Sequence, residues 1–442
     1  MKTLYIHIGT PKTATTSLQL FFNQNRNVLL KKGISFPRIP YRFPGVRKER
    51  NGHFLVGDVF LPNGKRDKEA CQKLWQMGMD IIHEEFRKYD NVLLSDENLW
   101  TSSTNAKASY WNRLKEDAQE HGYQIKAIVY FRRQDELAAS LFFQATKINM
   151  KDLAVRKWEY YKDDMTSNFL DYYTHLQKIA DVIGKENVIV HIFEPKYFTG
   201  NGNTIFSDFL DILGLPFTDE YVIRQEAANP SISGNRQEIQ RIINTVLTDS
   251  ESARLLTKRA AIQSEEKKDV HNNYSMFSES ETKEILKKYE EGNRTIAREY
   301  LNLDGALFHE DIPQQPVWSP DNPYMYEDIV RYFGSIVIEQ QEKIDELTNQ
   351  IKELSSCMPK NVPVLNKDKT EDIYQQLHSL HNELYRFSKA NAVLRDEIRS
   401  LKASQEREQK NTKKKIEDLQ QTALFFRLKR KWNHITGNRM DG

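Results

Sequence analysis

At 442 residues the chain exceeds what one hydrophobic core usually organises, which predicts a large domain with an appendage. Lys plus Arg number 64 against 62 Asp plus Glu, so no overall charge points to DNA or RNA, and no nucleic-acid partner is expected. The two cysteines, Cys71 and Cys357, are too few for a disulfide framework or a cysteine-built zinc site, and no run approaches the roughly 20 apolar residues of a membrane span. The start has no sustained apolar segment or small-residue cleavage site, so the expected home is the reducing cytoplasm.

Residues 1–310 alternate strand and helix signals. Apolar runs at Leu4–Ile8, Val92–Leu94, Ile125–Phe131 and Val188–Phe193 are each followed by polar turn residues and a helical pattern. Short buried strands separated by helices predict an α/β domain, a parallel sheet flanked by helices, with ligands beyond the C-terminal ends of the strands.

The first such end is the most informative. In YIHIGTPKTATTSLQLFF (Tyr5 to Phe22) a strand meets Gly9, Pro11 and Lys12, then the hydroxyls of Thr13, Thr15, Thr16 and Ser17, then an amphipathic helix. Strand, tight turn with a lysine, and helix N-terminus together form an anion-binding layout, because backbone N–H groups and a full positive charge converge there. The loop is not of the form GxxxxGK[ST]: Lys12 precedes the helix and the loop has no Gly-Lys pair.

Next comes a basic stretch, Lys31, Lys32, Arg38, Arg42, Arg47, Lys48 and Arg50, leading to His53 in NGHFLVG. It reads either as a solvated loop or as a surface for an acidic glycan. NVLLSDENLW (Asn91 to Trp100) ends a strand in Ser95, Asp96 and Glu97. A carboxylate here can act as a general base, while Ser95 or Asp96 can equally cap the following helix. IKAIVYFRRQDELAASLFFQ (Ile125 to Gln144) places Arg132 and Arg133 at a strand tip and Ser140 eight residues after Arg132. Arginine forks onto phosphate oxygens and a serine adds a directed donor, giving a second anion site.

Prolines through 311–327 predict a linker, followed by a helix over 328–356, a loop over 357–369 and a coiled-coil helix over 370–421. In the last, Leu377, Leu384, Asn391 and Ile398 occupy a positions, and Ile373, Leu380, Phe387, Leu394 and Leu401 occupy d positions. A homodimer through this heptad is expected; the competing arrangement folds the two helices back within one chain. The tail, residues 422–442, mixes Leu424, Phe425, Phe426 and Trp432 with Arg427, Lys429, Arg430 and Lys431. It suits peripheral contact with an anionic membrane face, or a disordered basic tail.

The order Pro-Lys-Thr-x-Thr-Thr at Pro11 to Thr16 resembles the 5′-phosphosulfate loop of sulfotransferases that use 3′-phosphoadenosine 5′-phosphosulfate (PAPS). Further stretches, LQLFFNQNRNVLLKKGISFP, FSDFLDILGLP, NPSIS (Asn229 to Ser233) and EGNRTIAREYLNLDGALF, extend the likeness to bacterial members over roughly the first 310 residues. The resemblance implies a P-loop-like fold with a C-terminal helical extension. It implies that Pro11, Lys12, Thr13, Ala14, Thr15, Thr16 and Ser17 hold the phosphosulfate, and that Arg132 and Ser140 hold the 3′-phosphate. It also implies that Lys12 stabilises the leaving group and that Glu97, in a Ser-x-Glu arrangement, is the base. In some relatives a histidine near His53 serves as base or substrate contact, although a lone histidine is more often structural. The implied reaction is sulfuryl transfer from PAPS to a hydroxyl group, of a carbohydrate or glycoconjugate, with no metal. Ala14 departs from the glycine many members have, and no Arg-Lys-Gly segment closes over the nucleotide as in cytosolic members. Two rival readings are a nucleotide kinase or NTPase, which lacks its Walker loop here, and an inactive sulfotransferase-like scaffold presenting a coiled coil.

Overall fold

The structure is a computed structural model that describes residues 1–102, 109–147, 155–164, 168–223, 234–246, 274–309, 311–312, 314–357 and 379. The stretch NPSIS, residues 358–369, the heptad over 370–421 (Ser379 apart) and the tail lie outside the described residues.

Five parallel strands, β1 (Thr3–His7), β2 (Ile34–Ser35), β3 (Asn91–Ser95), β4 (Gln124–Phe131) and β5 (Val188–Ile192), form one sheet in the order β2-β3-β1-β4-β5. The expected α/β class, a parallel sheet flanked by helices, is therefore what the chain forms. The central strands are buried on both faces, which is why they read as continuous apolar runs rather than alternating ones.

β1 is the middle strand, with β3 on one side and β4 on the other. His7 stands opposite Ser95 on β3 and Ile128 on β4. The chain fills one side of β1 first and then crosses to the other. That reversal opens a crevice beyond the C-terminal end of β1, the place where sheets of this kind bind ligands.

Helices α1 (Thr15–Gln24), α2 (Arg26–Lys31), α3 (Lys68–Phe86), α4 (Asn98–Ser102), α5 (Ser109–His121) and α6 (Gln134–Lys147) connect the strands. On one face Leu18, Phe21 and Phe22 of α1 join Leu93, Ile128, Tyr130 and Phe209 in a closed apolar cluster. On the other, Phe131 stacks on Tyr172 at 4.2 Å between ring centroids, with Trp100 edge-on to both. Burying whole aromatic side chains on both faces gives the sheet a rigid frame, each fully buried ring contributing about 1.5–3 kcal/mol.

α3 starts cleanly because Asp67 accepts from the Ala70 N–H at 2.9 Å. It approaches the turn His53–Leu55 through Gly78, where a Cβ would fall 2.3 Å from the Phe54 ring. Close packing at this glycine holds the loop that carries Arg50 and His53.

Later helices Tyr172–Ile183, Ile205–Ile212, Asn235–Val246 and Glu279–Leu301 complete the first compact unit, Met1–Met325. Part of the proline-bearing stretch 311–327 belongs to this unit by its contacts: Val317 bridges Ser275, and Trp318 is buried and donates from Nε1 to Asn235 Oδ1 at 3.0 Å. The second unit begins at Tyr326, and its described part is the long helix Met325–Cys357, which covers residues 328–356. Among the described residues no helix is long and apolar enough to cross a membrane.

Candidate active site

The loop after β1 turns on glycine and strained residues. Gly9 has φ +39°, and a Cβ there would meet Thr15 Cγ2 at 2.4 Å, so only glycine lets α1 fold back this tightly. Lys12 and Ala14 have φ +67° and +57°. Ala14, which departs from the glycine of the resembling family, is left-handed, so the loop carries strain that a glycine would not. The loop is fastened from within and to the sheet: Thr13 Oγ1 donates to Thr10 O at 2.6 Å, and Thr10 Oγ1 donates to Tyr130 O at 2.7 Å. No side chain caps the N-terminus of α1 at Ala14, and the Leu18 N–H donates to Ala14 O at 3.0 Å. The preceding N–H groups of Thr15, Thr16 and Ser17 open the helix, as anion sites require. Thr16 is half-buried and Ser17 exposed, while Pro11 and Thr13 are buried and Lys12 is half-buried.

The end of β3 lies beside this loop. Thr15 Oγ1 donates to Glu97 Oε2 at 3.0 Å, joining two of the expected site residues across 82 positions of sequence. Arg50 reaches Glu97 Oε1 at 3.4 Å and forks onto Asp96, with Nε to Oδ2 and Nη2 to Oδ1 both at 2.8 Å. His53 Nδ1 stands 3.0 Å from Asp96 Oδ2, and Asp96 Oδ1 accepts the Asn98 N–H at 2.7 Å, starting α4.

These contacts separate the two neighbouring carboxylates. Asp96 is fully buried; burial opposes its charge, but hydrogen bonds from His53 and Arg50 and the Arg50 charge outweigh that, and its pKa lies below the ordinary carboxylate value. It is an ionised anchor and helix cap. Glu97 keeps 25% of its side chain exposed at the crevice. His53 is buried, spends Nδ1 on Asp96, and packs edge-on against Phe43 at 4.6 Å. The geometry joins His53 to Asp96 rather than to the loop bearing Lys12.

Beneath them, His7 at the tip of β1 is wholly buried, with Nδ1 2.9 Å from Ser95 Oγ. Desolvation lowers its pKa to about 3, with the Asp96 charge acting weakly the other way, so the ring is neutral at pH 7. Gln19 Nε2 also reaches Ser95 Oγ at 3.2 Å, tying α1 to β3. Asn51 staples the basic loop to the same strand: its side chain accepts the Ser95 N–H at 2.8 Å and donates to Leu93 O at 3.0 Å.

The twin arginines at the end of β4 divide their roles. Arg133 is buried, forks onto Asp135 at 2.8 and 2.9 Å, and donates to Asp311 O at 2.8 Å, so it holds the domain's last segment. Arg132 leaves 30% of its side chain exposed and pairs through Nε with Glu136 at 2.8 Å. Ser140 is buried further along α6. The contacts of Arg132 and Ser140 do not join the network around Glu97; their link to the loop is through the β4 backbone that Thr10 grips.

Sequence reasoning missed three residues of the site. Arg50 was one of seven cations in a row and nothing singled it out, although Arg50-x-x-His53 is the spacing of a shared helical turn. Asn51 and Gln19 carried no signal beyond being polar beside apolar neighbours.

No protein-family model and no curated protein matches this chain. Among solved structures it is similar to a sulfotransferase from Alicyclobacillus acidocaldarius, at 14% identity over 57% of this chain and 94% of that one, with a TM-score of 0.30. A likeness this distant adds nothing to the geometry of the site.

Proposed function

We propose that the first unit is a PAPS-dependent sulfotransferase acting on a hydroxyl group, of a carbohydrate or glycoconjugate. The observation that carries the reading is the Thr15–Glu97 hydrogen bond of 3.0 Å, which brings an anion-binding helix N-terminus and a half-exposed carboxylate to one point of the crevice. The motif order Pro-Lys-Thr-x-Thr-Thr and the Arg132-to-Ser140 spacing support the same reading.

The residues fit the donor. The open N-terminus of α1 and Lys12 suit a phosphosulfate, and Arg132 suits a terminal phosphate once Glu136 gives way. When bound, the donor supplies an activated sulfuryl group. The amides of Thr15, Thr16 and Ser17 hold the anion in place, and Lys12 neutralises the charge that grows on the bridging oxygen as the S–O bond breaks. Glu97 accepts the proton of the acceptor hydroxyl as its oxygen bonds to sulfur; the products are a sulfate ester, adenosine 3′,5′-bisphosphate and the protonated carboxyl. Arg50 keeps Glu97 oriented at 3.4 Å while making its two shorter hydrogen bonds to Asp96. As in phosphoryl transfer, such work is chiefly positioning and charge stabilisation.

Calorimetry on the intact chain tests this. Adenosine 3′,5′-bisphosphate should bind more tightly than ATP–Mg and lose affinity in Arg132→Ala by about tenfold or more. Lys12→Ala should abolish sulfuryl transfer while leaving unfolding nearly unchanged. Preference for ATP–Mg, or binding of neither nucleotide, refutes the proposal.

A further inference from the structure

At the opposite end of the sheet, where the strands begin, three metal-ligating side chains meet that the sequence keeps apart. His83 is in the last turn of α3; Asp117 and His121 lie one turn apart at the end of α5, just before β4 begins. Residues at i and i+4 share a helix face, so Asp117 and His121 form a ready two-point chelate, and His83 faces it from the neighbouring helix. Thirty-four positions separate His83 from Asp117, so no local spacing announces the cluster.

We propose that His83, Asp117 and His121 bind a divalent metal ion of the zinc type, with water in the fourth position, clamping α3 to α5. The donor atoms of all three residues lie within 4.8 Å of one another. A tetrahedral ion with bonds of about 2.0–2.1 Å needs donor atoms about 3.3 Å apart. The separations bracket this value: His83 Nε2 is 2.9 Å and His121 Nδ1 3.7 Å from Asp117 Oδ2.

The surroundings match what metal sites use. Tyr123 donates its hydroxyl to Asp117 Oδ2 at 2.6 Å, orienting the carboxylate as an outer-sphere partner does. The two imidazoles stack with centroids 3.8 Å apart and 21° between their planes, so His121 must turn out of the stack before both rings aim at one ion. His83 and Asp117 are mostly buried at 18% and 17% side-chain exposure, which fixes them; His121, at 39%, gives the ion its entry and has room to turn. Nδ1 of His121 now points at Asp117 O at 3.0 Å, and moving its proton to Nε2 makes Nδ1 a ligand. The two imidazoles are borderline donors, and with one carboxylate they favour zinc-type ions over magnesium or calcium.

The site is remote from Glu97 and Lys12, because it sits where the strands begin and they sit where the strands end. Its role is therefore to stiffen the α3–α5 pair, and α3 in turn packs on the turn bearing His53.

The test is zinc itself, titrated calorimetrically into the untagged, chelator-treated full chain, with cobalt absorption as a second readout. One saturable equivalent should bind, raise Tm, and give the visible spectrum of tetrahedral cobalt. His121→Ala, an exposed change that leaves the fold intact, should weaken binding about tenfold or more and remove the Tm shift. His83→Gln should do the same with unchanged circular dichroism. Absence of binding by the parent chain, or equal affinity in both variants, overturns the proposal and leaves the cluster a hydrogen-bonded helix contact.

Discussion

Arg50→Met is the perturbation whose cost the structure states most directly. Arg50 makes two hydrogen bonds of 2.8 Å to a carboxylate with no exposed surface, so its loss strands the Asp96 charge in the interior. Breaking one partner of a buried pair costs about 3–5 kcal/mol. His53 at 3.0 Å and the Asn98 amide at 2.7 Å remain as partners, which places the expected loss at the lower end, about 3 kcal/mol. Urea unfolding of the parent, Arg50→Met, Asp96→Asn and the double variant closes a cycle. Removing the charge along with its partner should recover about 2 kcal/mol relative to the sum of the single losses. The pH dependence carries an independent sign. In the parent, Asp96 has a folded pKa below its unfolded one, so its contribution is present above the unfolded value and is lost as pH falls through the folded one. In Arg50→Met burial is less opposed and the folded pKa rises, so the gap between parent and variant should narrow as pH is lowered through the carboxylate range. An additive cycle, or an Arg50→Met cost below about 1 kcal/mol, would refute the claim that Asp96 is a buried anion held by Arg50.

Two further outcomes follow from the β1 loop. His7 binds its proton about 3.5 pH units later in the folded state than the ordinary 6.5, so the unfolded chain holds more protons between about pH 3 and 6.5 and stability must fall with acid across that window. Between pH 7.5 and 5 this amounts to about 2 kcal/mol; His7→Gln should remove that part of the slope in denaturant titrations, and an unchanged slope would mean the ring is charged when folded. Ala14→Gly should raise stability by about 0.5–1 kcal/mol because it relieves a left-handed alanine, and a lower unfolding midpoint would show that the Ala14 methyl contributes more by packing than its backbone costs.

What was legible in the sequence, and what was not, divides along a physical line. Parallel strands buried on both faces must be apolar throughout, so Leu4–Ile8, Val92–Leu94, Ile125–Phe131 and Val188–Phe193 announced β1, β3, β4 and β5 to within a residue or two. The turn from β1 to α1 was equally legible, since glycine, lysine and hydroxyls crowd into a few positions. β2, two residues long, could be read only through a resembling segment, because so short a strand carries no period of its own. Nothing local told Arg133, which anchors Asp311, from Arg132, which stays partly exposed and pairs with Glu136. Alternation at the end of a strand turned one inward and one outward. Nor could composition show that Trp318, within a proline-bearing stretch, is pinned by Asn235. The sequence by itself determined the strands, the tight turn from β1 to α1 and the carboxylates near it, because these depend on residues adjacent in the chain. Tertiary structure alone decided that Asp96 is an anchor, that Glu97 meets Thr15, and that His83 meets Asp117 and His121. Those outcomes depend on burial and on distances between residues far apart in the chain, and electrostatic worth is set by that environment rather than by residue type.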